Sequence, residues 1–138
     1  MTPNQLKVFI GLSRALNPID RSVSTLVRQY GLTHSQFAVL EALYHKGDMS
    51  VGEVQEKILT TSGNIPVIVN NLSADGLLER RRDPSDGRRT ILHLTDRGRV
   101  LMEKVFPEVS EAIIEKIDVL EENEQAELLR LLKKLGGR

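Results

Sequence analysis

The chain reads as helix almost from end to end and breaks that pattern once. In LLERRRDPSDGRRTILHLT, residues 77–95, the three- and four-residue spacing of apolar positions gives way to alternation, and Asp86-Gly87 lies between the two alternating runs. Asp-Gly between such runs signals a β-hairpin. Five arginines (Arg80, Arg81, Arg82, Arg88 and Arg89) surround that turn in a protein whose formal net charge is zero. A mainly helical chain with a single basic hairpin can adopt few architectures, and the position of the hairpin among the helices narrows them further.

Neutrality here is a sum of opposed regions. From Arg80 to Lys104 there are eight basic residues against four acidic ones, whereas from Val105 to Leu128 eight acidic residues face Lys116 alone. A basic surface is therefore compatible with a balanced total. With 138 residues the chain suits one compact unit with a dimerisation extension, and 40% hydrophobic with 28% charged residues is ordinary for a soluble protein. The absence of cysteine removes disulfides, thiolate nucleophiles and cysteine-ligated metals. No export signal and no run of about eighteen apolar residues is read, which points to a cytoplasmic protein without a membrane partner.

The segment Gln5–Tyr30 spaces Leu6, Phe9, Ile10, Leu16, Val23 and Val27 as an amphipathic helix. Pro18 within it implies either a bend or a junction of two helices. Gly31 is a plausible stop. Thr33 with Gln36, and then Ser50 with Glu53, are capping boxes that open a second helix and a short third one. A fourth helix is expected from about Ser62 or Gly63, with Thr61 or Ser62 as its cap, Pro66 close to its start and Gly76 as its left-handed terminator. Its inward face is Ile65, Ile68, Val69 and Leu72, leaving Asn64, Val67, Asn70 and Asn71 outward. After the hairpin, Thr95 and Asp96 begin a long helix expected to bend at Pro107, and a last helix runs from about Glu121 to Leu135.

Two short helices joined by a turn, the second followed at once by a basic hairpin, compose a winged helix-turn-helix. A helix fits the DNA major groove, and the adjoining hairpin then meets the backbone or the minor groove. From Thr60 to Ala74 there is no charged side chain. The groups available there for base edges and phosphates are Thr60, Thr61, Ser62, Gly63, Asn64, Asn70, Asn71 and the backbone, with Pro66 and Val67 on the same stretch and Ser50 at the start of the preceding helix. Capping and turning alone account equally well for the Thr, Ser and Gly residues. The arginines have a bland reading too: a charge run is usually a solvated face, and Glu79, Asp83 and Asp86 can pair with them across strands for only about 0.2 to 1 kcal/mol each. The preceding helix pair tips the balance to DNA contact by Arg80, Arg82, Arg88 and Arg89, with Asp86 beside them.

GLTHSQFAVLEAL, SGNIPVIVNNLSADGLLERRRDPSDGRRTILHLTDRG and EENEQAELLRLLKKL resemble, in this order, the MarR family of bacterial transcription regulators. The wing pattern Asp86, Arg88, Leu94 and Thr95 is the most specific part of that resemblance. It implies a homodimer in which the first and the last two helices intertwine and the winged motifs meet successive grooves of a palindromic site. It further implies that Arg88 is the wing tip in the minor groove, held by Asp86, and that the helix from Ser62 lies in the major groove. Many members of the family bind small aromatic or phenolic compounds that weaken DNA binding, others sense oxidants through a cysteine near the first helices, and others hold zinc. His34, His45 and His93 stand apart from one another, without the spacing of a metal site.

The expected fold is thus mainly α with a small β-hairpin wing, comprising a helical dimerisation region at 1–30 and 105–138 and a winged helix-turn-helix at 31–104. The expected function is that of a repressor released from double-stranded DNA by a small-molecule effector, whose site the sequence does not locate. No cofactor and no enzymatic role is expected, because clustered histidines, a phosphate-cradling glycine loop and a nucleophile with an evident base are all missing. The alternative is a winged-helix module that binds proteins instead of DNA.

Overall fold

The computed structural model describes residues 1–58 and 64–136. In chain order the elements are α1 (Asn4–Arg28), α2 (His34–Lys46), β1 (Met49–Ser50), α3 (Val51–Lys57), α4 (Ile65–Ala74), β2 (Leu78–Arg82), β3 (Thr90–Leu94), α5 (Asp96–Ile117) and α6 (Glu122–Gly136). Six helices therefore surround a small antiparallel sheet of order β1-β3-β2.

Local chemistry sets most of the boundaries. Thr33 Oγ1 accepts from the Gln36 N–H at 3.1 Å while Gln36 Oε1 accepts from the Thr33 N–H at 2.9 Å, so the first capping box is formed in full. Ser50 and Glu53 form the second in the same way. Gly76 closes the turn after α4 at φ 75°, a conformation that costs a residue without Cβ nothing.

At four places the structure narrows, shifts or adds to what the sequence implies. Of the two possibilities at Pro18 the junction of two helices is excluded, because α1 runs through it as one helix, without the hydrogen bond that proline cannot donate. Asn64 is the backbone N-cap of α4 and Ile65 its first helical residue, so Pro66 falls in the first turn, whereas Thr61 and Ser62 lie outside the described residues. The hairpin signalled by Asp86-Gly87 is formed, with a connection longer than DPSDG. Seven residues, 83–89, connect the strands, and Gly87 keeps a negative φ. The hairpin also has a third partner, β1, in which Met49 pairs with Leu92 and Ser50 with Ile91.

A single core joins the second half of α1 to the winged motif and the first half of α5. Val23 and Val27 meet Phe37, Leu40 and Leu43 of α2, Val54 of α3, Ile68, Val69 and Leu72 of α4, Leu78, Leu92 and Leu94 of the sheet, and Met102, Val105 and Val109 of α5. Beyond that core and the partly buried residues packed on it, many apolar side chains are bare. Leu6, Phe9 and Leu16 of α1, Ile113 and Ile114 of α5, and Leu128, Leu129, Leu131, Leu132 and Leu135 of α6 are exposed, and α6 buries nothing within the chain.

The sheet is joined to α5 without a linker. Thr95 Oγ1 donates to the Gly76 carbonyl at 2.7 Å and accepts from the Gly98 N–H at 3.1 Å, and the Thr95 N–H donates to Leu77 O at 3.2 Å. A Cβ placed on Gly98 would lie 2.1 Å from Leu77 O. Only glycine lets the first turn of α5 approach the start of β2 this closely.

Candidate nucleic-acid interface

The pairing register decides which wing residues share a face. Leu78, Arg80 and Arg82 alternate along β2 opposite Leu94, Leu92 and Thr90 of β3. The inner end of that face, formed by Leu78, Leu92 and Leu94, is buried core. Its outer end is Arg80, Arg82 and Thr90, all exposed. The hairpin thus carries one continuous face that changes from apolar to cationic where it leaves the protein.

That cationic end borders the exposed side of α4. Ile68, Val69 and Leu72 fix the inner side of the helix, and Asn64, Pro66, Val67, Asn70 and Asn71 are exposed opposite them. The Arg80 guanidinium donates through Nη2 to Asn70 Oδ1, joining helix to wing. A guanidinium offers donors only, so the amide oxygen must point toward Arg80. Arg80, Arg81, Arg82, Gly87, Arg89 and Thr90 line a shallow cleft of about 260 Å³ beside them.

Each remaining wing residue has a defined place. The Arg88 side chain is 96% exposed; its Nε lies 3.7 Å from Asp86 Oδ1, and its backbone N–H donates to the same oxygen at 3.0 Å. Arg81 pairs with Glu79 on the other face at 2.7 Å. Arg89 reaches Glu53 of α3 at 2.8 Å and lies 3.7 Å from Asp83. Asp83, with its side chain 11% exposed, accepts from the Ser85 N–H at 2.9 Å and the Ser85 hydroxyl at 2.8 Å. Those Ser85 bonds, supported by Arg89, hold its carboxyl below the usual range. The Glu53 carboxyl is lowered as well, first by its bonds to Ser50 and then by Arg89. Ser50 is buried, with its hydroxyl turned to the Glu53 N–H. Thr60, Thr61, Ser62 and Gly63 lie outside the described residues.

The histidines occupy separate places. His34 starts α2, with Asp20 of α1 at 3.7 Å, His93 bonds Asp48 at 2.7 Å, and His45 packs edge-on against Phe106 with ring centres 4.5 Å apart. Among the described residues no three His, Asp or Glu side chains gather as a metal site would require. No described helix is long and apolar enough to cross a membrane.

Residues 21–105 match the family model described as transcriptional regulator SarA/Rot. Over 136 residues the sequence is 40% identical to the HTH-type transcriptional regulator MhqR of Bacillus subtilis, covering 99% of this chain and 94% of that protein. The chain belongs to the MarR family of transcriptional regulators. Among solved structures, this MarR-family chain resembles Bordetella bronchiseptica BpsR, whose DNA binding is regulated by 6-hydroxynicotinic acid, at TM-score 0.83 and 27% identity, covering 95% of this chain and 94% of that one. A mutant MarR from E. coli complexed with operator DNA shares the fold at TM-score 0.83 and 22% identity, over 96% of this chain and 95% of that one. The winged helix-turn-helix is therefore that of a DNA-binding regulator and not of an enzyme.

Proposed function

We propose that this MarR-family regulator is a homodimeric repressor of a palindromic operator, released by a small aromatic effector. The observation that carries the DNA geometry is the joined surface of α4 and the wing: an uncharged, exposed helix face bonded through Asn70 to Arg80, at the edge of a cationic hairpin. In this reading Asn64, Asn70, Asn71, Pro66, Val67 and the preceding Thr60–Gly63 stretch meet the major groove. Arg80 and Arg82 neutralise phosphate, and Arg88, steadied by Asp86, enters the minor groove. The helical dimerisation region at 1–30 and 105–138 is supported by the bare apolar residues of α1, α5 and α6, which water would otherwise cover.

The effector proposal rests on BpsR, a relative regulated by a hydroxylated aromatic acid. In this chain α1 and α5 frame an open groove of about 820 Å³ lined by Pro18, Arg21, Leu26, Glu108, Glu115 and Lys116, among others. Glu108, Glu111 and Glu115 outnumber Arg21 and Lys116 there, which favours a neutral phenol over an aromatic carboxylate.

Fluorescence anisotropy on a duplex selected by the protein from fragmented genomic DNA tests the reading. Affinity should fall steeply between 50 and 200 mM salt, with a log–log slope of about −0.9 per phosphate contact, and added phenol should release the duplex. Binding that ignores salt, or no binding at all, would replace the DNA reading with protein recognition.

A further inference from the structure

Arg88 and Arg89 are consecutive, yet the Arg88 side chain is 96% exposed and the Arg89 side chain 48%. Arg89 is held from three directions. Its Nη2 donates to Glu53 Oε1 at 2.8 Å, its Nε lies 3.7 Å from Asp83 Oδ2, and its backbone carbonyl accepts from the Asp83 N–H at 3.1 Å. Its own N–H donates to the Asp86 carbonyl at 3.0 Å. Two carboxylates already face this one guanidinium, so it has little charge left for a phosphate.

Glu53 is fixed independently of Arg89. Its carboxylate accepts from the Ser50 N–H at 3.4 Å while its N–H donates to Ser50 Oγ at 3.2 Å, and Ser50 also pairs with Ile91 of β3 as part of β1. Asp83 is fixed by Ser85. The loop that carries Arg88 is therefore tied to the start of α3, the first helix of the helix-turn-helix.

We propose that Arg89 is a positioning residue and not a DNA contact: with Glu53 and Asp83 it forms a latch that holds the wing loop against α3 and so sets where Arg88 meets the duplex. This deepens the proposed reading of the wing and rests on it. Arg89 and Glu53 are each about half exposed (48% and 51%), so their pair adds little to stability. The effect of the latch should appear in binding rather than in melting.

The two roles for Arg89 predict opposite signs for one substitution. Glu53→Gln keeps the capping box, since glutamine serves at that position as glutamate does, and it removes a negative charge beside the wing. If Arg89 grips phosphate, loosening its hold on residue 53 by removing that charge strengthens DNA binding. If Arg89 is a latch, Glu53→Gln weakens binding to the selected duplex about threefold to tenfold, Arg89→Gln does the same, and the double variant loses no more than the worse single one. Thermal midpoints should stay at the wild-type value in all three.

A Glu53→Gln variant that binds as tightly as wild type or tighter, with Arg89→Gln weakened and its salt slope reduced by about one contact, overturns the latch. Additive losses in the double variant overturn it too. Arg88→Ala, measured alongside, separates the wing tip from the latch: if it binds like wild type, the wing-tip reading has failed, and if it is weakened while Glu53→Gln is not, the latch alone has failed.

Discussion

Arg88 occupies a part of the wing where the protein asks almost nothing of its side chain. It is 96% exposed, and the backbone bond from its N–H to Asp86 fixes the direction in which the chain projects. Ordering a long side chain costs free energy of about 1.5 to 2 kcal/mol, and no buried contact within the chain offsets that cost. Arg88→Ala should therefore leave folding and assembly unchanged while weakening binding to the selected duplex by about 1 to 3 kcal/mol, as read by anisotropy beside a sedimentation check of the assembly. Equal affinity in the folded variant would remove Arg88 from the interface. The place of Arg88 beside Asp86 was legible from sequence because their motif is local. The partners of Arg80 and Arg89 were not, since Asn70 and Glu53 lie 10 and 36 residues away along the chain.

Elements whose starts and stops are written in neighbouring residues were the readable ones. Thr33 with Gln36, Ser50 with Glu53 and Gly76 each satisfy backbone groups within a few positions, and the corresponding boundaries of α2, α3 and α4 lie where that chemistry puts them. Strand β1 was invisible because two residues, Met49 and Ser50, are too few to show alternation and depend for their pairing on β3, some forty positions later. The Asp-Gly signal found the hairpin but not the length of its connection. Bonds inside the seven-residue loop, from Ser85 to Asp83 and from Arg89 to Asp86, stabilise a wider connection than the dipeptide alone would choose. The contact between α5 and the sheet supplies an element-scale prediction. Gly98→Ala would force a methyl group against Leu77 O, where 2.1 Å is available, and should cost about 1 to 3 kcal/mol in chemical denaturation. A midpoint equal to wild type would mean that α5 is free to move away from β2.

At the scale of the molecule the two ends of the charge distribution separate in space as well as in sequence. Arginines gather on the wing, while the acidic stretch after Val105 forms the second half of α5 and the start of α6. The same distal region carries the exposed leucines of α6. In the proposed homodimer a second copy of the chain would cover them, on a helix that has no buried residue of its own. Leu132→Glu should then shift the protein toward monomer in sedimentation equilibrium, weakening association by about 1.5 to 3 kcal/mol for each side chain withdrawn from contact. Such a monomer should still melt cooperatively, because the core of residues 23–109 does not include α6. A wild-type protein that sediments as a monomer at every concentration would end the dimer reading.

The Thr95–Gly98 junction has a mechanical corollary. α5 is a 22-residue rod, roughly 33 Å long at 1.5 Å per residue. One end is pinned to the wing by hydrogen bonds and a glycine-wide clearance, and the other reaches the apolar patch beside the groove between α1 and α5. Met102, Val105 and Val109 also seat this helix in the core, so a tilt of about 5° would carry the junction, and the base of the wing with it, by roughly 3 Å over that length. A displacement of that size is comparable to one base-pair step and, on the proposed placement of Arg88 in the minor groove, would carry it out of register without unfolding anything.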